Sequence, residues 1–261
     1  MMKLLAIDSS GMPASVAVME DGILLAEYTV NFRRTHSQTL MPMLEEVRRT
    51  LDLNLDSLDA IAVAGGPGSF TGLRIGSATA KGIGLALNKP IIHVPTLEAM
   101  AYSYYGSDGL IVPMMDARRN QVFAGIYSFR FCRPRDILDS SQPQDNLNEQ
   151  TGEDPLCVVM DQTPIDVVSL CEKLDVLSRE KGKSVILSGD GAQVYHGLIE
   201  ESMKSAHIYA PPHLAWQRAG CVAARAVDLA RMGKLESAAQ HRPEYLRVSQ
   251  AERVRAENAK H

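Results

Sequence analysis

The two halves of the chain encode the same order of secondary-structure elements. Each half opens on a short apolar stretch, residues 3–7 and 110–115, that ends at an aspartate, Asp8 or Asp116. Strand-like segments follow in each half, and then helical and strand-like segments alternate. This order predicts an α/β fold of two tandem subdomains, each with a mixed sheet flanked by helices.

The expected subdomains are residues 1–107 and 108–261, with the break near a turn flanked by glycines at 106–109. Gln, Asn, Asp and Ser cluster without periodicity at 134–155, which predicts a long polar loop. A helical apolar pattern near 214–232 predicts a C-terminal helix, which we assign to the second subdomain.

Composition and charge narrow the class of protein. The chain is 45% hydrophobic and 22% charged, as in folded globular proteins. Its net charge of −4 supplies no general basic field, so tight binding of nucleic acid by the whole surface is not expected. The cysteines form no CxxC pair, no apolar run approaches about 18 residues, and the N-terminal run is too short for a signal peptide. We therefore expect a cytoplasmic protein without a membrane span.

Glycines are concentrated between a predicted strand and a predicted helix. Five of them fall in the 12 residues from Gly65 to Gly76. The spacing matches neither the Walker loop nor GxGxxG. One interpretation is a helix start whose backbone N–H groups hold an anion. The other is a sharp turn with close helix packing, and the glycine pattern alone favours it.

Polar residues follow the first strand of each half. Asp8, Ser9 and Ser10 are candidates for a degenerate phosphate loop that orients metal and phosphate, and Asp116 is their counterpart in the second half. Asp and Ser also serve often as hydrogen-bonded turn residues. Arg118 and Arg119 beside Asp116 could hold phosphate or could simply be solvated.

Histidines give no catalytic or metal signature. None of the seven is paired with another four residues away, no HExxH occurs and no GxSxG elbow is present. The histidine pattern therefore predicts no metal site, whereas a Ser-His-Asp triad is not excluded by the sequence alone.

Several motifs together make the sequence resemble the TsaB (YeaZ) family of bacterial tRNA threonylcarbamoyladenosine biosynthesis proteins. The resemblance extends over nearly the whole chain and is strongest in the first 125 residues. The motifs are LLAIDSS, ASVAV, HSQTLMP, AVAGGPGSFTGLRIGSATAKGI, MMDARRNQVFAGIY and PEYLR.

The resemblance implies a fold of two actin/sugar-kinase-like (RNase H-like) subdomains. It also implies a non-catalytic scaffold subunit, without a cofactor, of the complex that places threonylcarbamoyl on N6 of adenosine 37 in tRNAs reading ANN codons. The implied partners are the catalytic paralogue TsaD and the ATPase TsaE. The family also implies a homodimer when the chain is alone, and contact with tRNA only through the complex.

The sequence departs from the catalytic paralogue at two places. In HVPTLEAM, Thr96 and Met100 stand where the paralogue has two metal-binding histidines, and neither can replace imidazole as a ligand here. Residues 116–120 replace its glycine-rich second phosphate loop. These departures disfavour the two alternatives, a metallopeptidase of the glycoprotease type and an ATP-dependent phosphotransferase, but leave room for weak nucleotide binding.

Two predicted helices, 39–51 and 71–87, are our candidates for the partner surface. Met41 and Met43 are apolar side chains outside the core stripe of the first helix, which is Leu40, Leu44, Val47 and Leu51. The second helix has small residues at every fourth position, which predicts a groove for a facing helix. These residues are Gly72, Gly76, Ala80 and Gly84. The competing interpretation is that both features face the chain's own interior.

Overall fold

The computed structural model describes residues 2–32, 35–130 and 154–246. The strands in these ranges are β1 (Lys3–Asp8), β2 (Ala14–Glu20), β3 (Ile23–Val30), β4 (Ala60–Gly66), β5 (Ile91–Pro95), β6 (Leu110–Arg118), β7 (Gln121–Phe129), β8 (Leu156–Asp166), β9 (Val185–Ser188) and β10 (His207–Tyr209). The helices are α1 (His36–Thr50), α2 (Phe70–Leu87), α3 (Thr96–Ala101), α4 (Val167–Lys181), α5 (Asp190–Val194), α6 (His196–Ser202) and α7 (Ala219–Arg231). Most of the loop predicted at 134–155 lies outside the described residues.

The strands form two five-stranded sheets with the same topology. The first has the order β3-β2-β1-β4-β5, and the second, counted from its opposite edge, has the order β8-β7-β6-β9-β10. In both sheets the first three strands along the chain are antiparallel and the last two join in parallel. The predicted fold class, two tandem units with mixed sheets flanked by helices, is confirmed.

The first sheet is covered by helices on both faces. Leu5 and Ile7 of β1 point into a core shared with α1 and α2, whereas Leu4 and Ala6 point into a core shared with α7. This alternation follows from the two-residue period of a strand. The C-terminal helix therefore packs on the first sheet. Our assignment of this helix to the second subdomain is wrong, because its apolar face matches the far side of β1, β2 and β4.

The second sheet is also covered on both faces. On one side β6, β7 and β9 pack against α4, α5 and α6, and on the other side they pack against α3 and the residues after it. The two short helices α5 and α6 meet at Tyr195, and β10, which the sequence did not predict, forms one edge of this sheet.

A buried arginine of α7 connects helix α3, which precedes the second sheet, with the segment just before β8. Arg225 is 2% exposed and donates to Glu98 of α3 through Nε (2.7 Å). Its two terminal nitrogens donate to the carboxylate of Asp154, before β8, at 2.6 and 2.8 Å. The pairing fixes α7 against both units. Across the described ranges, the helices are too short or too polar to cross a bilayer.

Candidate functional site

The turn after β1 is buried and folded on itself. The backbone N–H and the hydroxyl of Ser10 donate to Oδ1 of Asp8 at 2.9 and 2.6 Å. Asp8, Ser9 and Ser10 are each no more than 2% exposed. The other carboxylate oxygen, Oδ2, is buried and has no hydrogen-bond partner among the described residues. Burial raises the pKa of Asp8 to about 6, and the hydrogen bonds from Ser10 oppose this shift.

The glycine-rich turn after β4 packs directly on the turn after β1. Strands β1 and β4 are parallel neighbours, so both turns lie at the same edge of the sheet. The N–H of Ser69 donates to the carbonyl of Ser10 (2.7 Å), and the hydroxyl of Ser9 donates to the carbonyl of Gly72 (2.9 Å). The two motifs that stood out in the sequence therefore form one structural unit.

Close approach of the backbone explains the glycines of this unit. A Cβ on Gly68 would lie 2.5 Å from the carbonyl oxygen of Ser10. A Cβ on Gly72 would overlap the carbonyl oxygen of Ser9, and one on Gly76 would overlap the Ser9 hydroxyl. The geometry therefore matches the interpretation as a sharp turn with close helix packing.

The predicted groove of small residues on α2 is filled within the chain. Gly72 and Gly76 lie under the turn after β1, and Ala80 is fully buried in the core between α2 and the first sheet. At Gly84 a Cβ would approach the Cβ of Ala238 at 2.9 Å. The expectation that this face receives a partner's helix is corrected, because the chain's own residues occupy it.

The C-terminal segment closes over the glycine-rich turn from the other side. The N–H of Glu244 donates to the carbonyl of Gly65 (2.7 Å). Gln162 of β8 donates to the carbonyl of Gly66 (3.0 Å) and to the carboxylate of Glu244 (3.1 Å). Gly66 has φ +131°, and a Cβ there would overlap the carbonyl oxygen of Glu244. These contacts, which the sequence did not predict, join the second sheet to this turn.

The two positions that correspond to the paralogue's metal ligands serve packing here. Thr96 is fully buried, and its hydroxyl accepts a hydrogen bond from the N–H of Gly66 (3.2 Å). Met100 is 3% exposed and belongs to the apolar cluster between α3 and the second sheet. A hydroxyl engaged with the backbone and a thioether in an apolar core form no metal-binding pair.

Asp116 belongs to a separate hydrogen-bonded cluster. Its Oδ1 accepts from the hydroxyl of Tyr195 (2.8 Å) and from the N–H of Arg118 (2.7 Å). Its own N–H donates to Asp190 (3.3 Å), whose pKa is raised by burial and by the charge of Asp116. Arg118 and Arg119 are exposed and have positive φ; Arg118 ends β6, and Arg119 with Asn120 forms the tight turn to β7. The structure therefore brings Asp8, Ser9 and Ser10 together and places Asp116 in another hydrogen-bond network.

The outer faces of α1 and α2 carry exposed apolar side chains. Met41 is 54% exposed, whereas Met43 is buried and belongs to the core stripe. This corrects the expectation for Met43, because the stripe of α1 includes it. On α2, Phe70 and Leu85 are exposed, and a Cβ on Gly82 would meet nothing within 4 Å. Exposed apolar side chains are therefore present on both helices, and those of α2 lie away from its small-residue stripe.

A cleft of about 620 Å³ lies beside the turn after β1. Its lining residues come from β3 and the turn before β2, and from the segment before α7. They are Pro13, Glu27, Thr29, Asn31, Pro212, His213, Trp216, Gln217 and Arg218. The carboxylate of Glu27 pairs with Arg218 and accepts from the N–H of Gly220 (2.9 Å). Because its walls are distant in sequence, no motif indicated this cleft.

Comparison with known sequences identifies relatives over almost the entire chain. A profile of the family described as "TsaD: tRNA N6-adenosine threonylcarbamoyltransferase" matches residues 24–254. The "tRNA threonylcarbamoyladenosine biosynthesis protein TsaB" of Bacillus subtilis (strain 168) is 32% identical over 256 residues, which are 96% of each chain. The protein of the same name from Escherichia coli (strain K12) is 36% identical over 128 residues, 48% of this chain and 55% of that one.

The fold has relatives among solved structures as well. The structure of "YeaZ from Pseudomonas aeruginosa" superposes with a TM-score of 0.72 at 24% identity, covering 94% of this chain and 100% of that chain. This similarity concerns the arrangement of the two sheets and their helices. The full-length match to the Bacillus subtilis protein shows that the similarity extends to the amino-acid sequence. The chain therefore belongs to the TsaB family of tRNA threonylcarbamoyladenosine biosynthesis proteins.

Proposed function

We propose that this chain is a non-catalytic subunit in threonylcarbamoyladenosine biosynthesis. In this proposal it activates and supports the catalytic paralogue TsaD by forming a heterodimer with it. The complex transfers threonylcarbamoyl to N6 of adenosine 37 in tRNAs that read ANN codons. The names of its full-length relative and of the matching family supply the pathway.

The observation that carries the non-catalytic part is the role of Thr96 and Met100. Both lie where the paralogue would have metal-binding histidines, and both are buried and engaged in packing. Without imidazoles at these positions the chain has no equivalent of that metal site, because a hydroxyl and a thioether are poor substitutes. The chemistry of transfer is then left to the partner subunit.

The hydrogen bonding of the glycine-rich turn also supports a structural role. Its backbone groups at Gly65, Gly66 and Ser69 are bonded to Glu244, Gln162, Thr96 and Ser10, as described above. Among these groups, the N–H of Gly66 and the N–H of Ser69 already donate within the chain, so these two are not available as phosphate ligands. This arrangement favours an actin-like fold kept for its shape over an active phosphotransferase.

One observation favours the alternative, weak binding of a nucleotide. Oδ2 of Asp8 is buried without a partner among the described residues, and such an oxygen is suited to orient a hydrated cation beside phosphate. Calorimetry with Mg²⁺-ATP tests this alternative. Heat of binding that disappears in Asp8→Asn would favour it, and an absence of binding would favour the scaffold role.

The exposed side of α1 and α2 is the surface we assign to the partner. Met41, Phe70 and Leu85 give it apolar area, and Ala78 and Gly82 leave room for a facing helix. Methionine adapts to more than one surface, so one face can serve the heterodimer with TsaD and a homodimer when the chain is alone. The ATPase TsaE then joins the heterodimer. With a net charge of −4, this subunit reaches tRNA only through the complex.

Reconstitution tests the proposal. The purified chain with threonylcarbamoyl-AMP and tRNA should yield no modified adenosine, whereas addition of TsaD and TsaE from the same organism should yield it. The chain should also co-purify with TsaD in a one-to-one complex. Modification by the chain alone, or full activity of TsaD and TsaE without it, would contradict the proposal.

A further inference from the structure

Three metal-ligating residues lie together at the edge of the first sheet. His93 of β5, Glu236 and His241 each offer one ligand atom, and these atoms all lie within 4.8 Å of one another. No motif in the sequence indicates this cluster, because His93 is distant from the other two residues and neither histidine has another histidine four residues away. The cluster is separate from the positions of Thr96 and Met100.

Backbone contacts hold the three side chains in place. Glu236 and Ile91 exchange two backbone hydrogen bonds, each of 2.9 Å, as an antiparallel bridge. Side chains alternate along a strand, so His93 lies on the same face of β5 as Ile91 and its partner Glu236. Lys81 of α2 donates to the carbonyl of His241 (3.0 Å) and fixes the end of the turn that carries this residue. The donor set is therefore preorganised.

One nitrogen of the cluster is buried and unsatisfied. His241 is fully buried, and its Nδ1 lies 2.6 Å from the carboxylate of Glu236. Its Nε2 is buried with no hydrogen-bond partner among the described residues. Buried polar atoms nearly always have a hydrogen-bond partner. An imidazole nitrogen without one, next to two other metal-ligating side chains, therefore indicates that this cluster binds an ion.

The His93 ring is held in place by the backbone around it. The ring is hydrogen-bonded to the backbone of Arg242. Metal-bound histidines commonly use their second nitrogen in this way. The ring occupies the space where a Cβ on Gly65 would be, so the glycine makes room for the imidazole.

A cavity of about 350 Å³ gives access to the cluster. His93 and Glu236 line it, and the side chain of Glu236 is 33% exposed. Glu98, which also lines the cavity, already accepts a hydrogen bond from Arg225 (2.7 Å). The cavity provides an entry path for an ion and space for a water molecule beside it.

We propose that His93, Glu236 and His241 bind one divalent transition-metal ion, with Zn²⁺ the best match to two imidazoles and a carboxylate. Ligand atoms about 2.1 Å from a metal are at most about 4.2 Å apart, so small side-chain rotations close the observed set. The fourth position faces the cavity. The ion fastens the segment from Glu236 onward to β5 and thereby supports Glu244 on the glycine-rich turn.

The test uses the untagged full chain, stripped of metal with a chelator and titrated with Co²⁺ and then Zn²⁺. One equivalent of Co²⁺ should produce visible absorption bands that Zn²⁺ abolishes, and Zn²⁺ should raise the melting temperature. His93→Gln and Glu236→Gln should each weaken binding at least tenfold. His207→Gln is the matched control, because His207 also pairs with a glutamate, Glu200, at 3.0 Å on the second sheet.

The outcomes are decisive in both directions. No one-to-one binding by the wild-type chain at micromolar metal, or unchanged binding in a folded Glu236→Gln, overturns the proposal. Glu236 is partly exposed, so this variant should fold even where His93→Gln does not, and circular dichroism verifies this. Equal loss of binding in His207→Gln would also count against the site, because it would indicate a general effect on surface histidines.

Discussion

The hydroxyl of Ser9 donates to the carbonyl oxygen of Gly72, 2.9 Å away, and so ties the turn after β1 to the first turn of α2. The same Ser9 occupies the space that side chains at positions 72 and 76 would need. In this chain the residues that could form a phosphate loop are thus used to hold two elements in close contact. Their replacement should affect stability before it affects any ligand.

The glycines of α2 should separate into two classes. Gly72→Ala should destabilise the chain by about 1–3 kcal/mol, because the new methyl group overlaps the backbone of Ser9. Gly82→Ala should stabilise it by about 0.5–1 kcal/mol, because nothing lies near this position and alanine favours the helix. Urea unfolding followed by circular dichroism measures both. If both substitutions changed the free energy of unfolding equally, the close contact between position 72 and Ser9 would not contribute to stability.

The larger substitution Gly76→Leu should strongly destabilise the fold. Position 76 faces the Ser9 hydroxyl and the side chain of Val63 beneath it. A leucine there has no free space, and overpacking of a closed site costs about 1–3 kcal/mol or more. A folded Gly76→Leu chain with unchanged urea midpoint would indicate that α2 can move away from the turn.

Local patterns predicted the fold because each strand and helix is encoded by neighbouring residues. The apolar run of β1 and the stripe with Leu40, Leu44 and Val47 are both visible in the letters. The prediction for Met43 was wrong because the apolar face of a helix is wide enough to include positions next to those of the leucine and valine stripe. The C-terminal helix was assigned to the wrong subdomain because no local sequence pattern indicates which sheet its apolar face will pack against.

The site could be predicted only where its residues are consecutive. Asp8, Ser9 and Ser10 were found as a motif, and they do form one turn. The contacts of Gln162 and Glu244 with the glycine-rich turn join segments that are far apart in the chain. Only the packing of the second sheet and the C-terminal segment brings them together, so spacing alone gives no signal.

Arg225 should be the most sensitive polar residue of α7. It is 2% exposed and bonds to Glu98 and Asp154, so Arg225→Met leaves two partly buried carboxylates without their cation. We expect a loss of about 3–5 kcal/mol in the free energy of unfolding. Arg231→Met is the control, since this arginine is half exposed and lies 3.6 Å from Asp228, and it should cost less than about 1 kcal/mol. Chemical denaturation of the two variants gives the comparison.

Asp8 should make the chain more stable at mildly acidic pH. Its pKa is about 6 in the fold and ordinarily 3.8, so folding favours the protonated carboxyl. The buried charge then destabilises the fold by about 3 kcal/mol above pH 6, at about 1.4 kcal/mol for each unit of pKa. This penalty decreases as the pH falls through 6 and disappears below 3.8, where the carboxyl is protonated in both the folded and the unfolded chain.

The variant Asp8→Asn isolates this effect from other titrating groups. Its amide oxygen can still accept from Ser10, and it carries no charge at any pH. The difference in unfolding free energy between wild type and variant should shift by about 2 kcal/mol in favour of the wild type between pH 7.5 and pH 4.5. A difference that stays constant over this range would mean that the carboxyl titrates normally in the fold.

The partner surface should be lost through exposed residues of α1 and α2 without loss of the fold. Met41 and Leu85 are 54% and 60% exposed, so Met41→Glu and Leu85→Glu should change stability by less than about 0.5 kcal/mol. Each should nevertheless weaken association with TsaD at least tenfold, about 1.4 kcal/mol, because a carboxylate would be buried against an apolar partner. Light scattering and a pull-down with TsaD measure the homodimer and the heterodimer.

Val176→Glu is a matched control, because Val176 is 49% exposed on α4 of the second unit, and it should leave both assemblies intact. Met43→Glu should fail to fold, since Met43 is in the core. If the Met41 and Leu85 variants assemble as the wild type does, the partner binds another face, and the apolar surface of these helices has a different role.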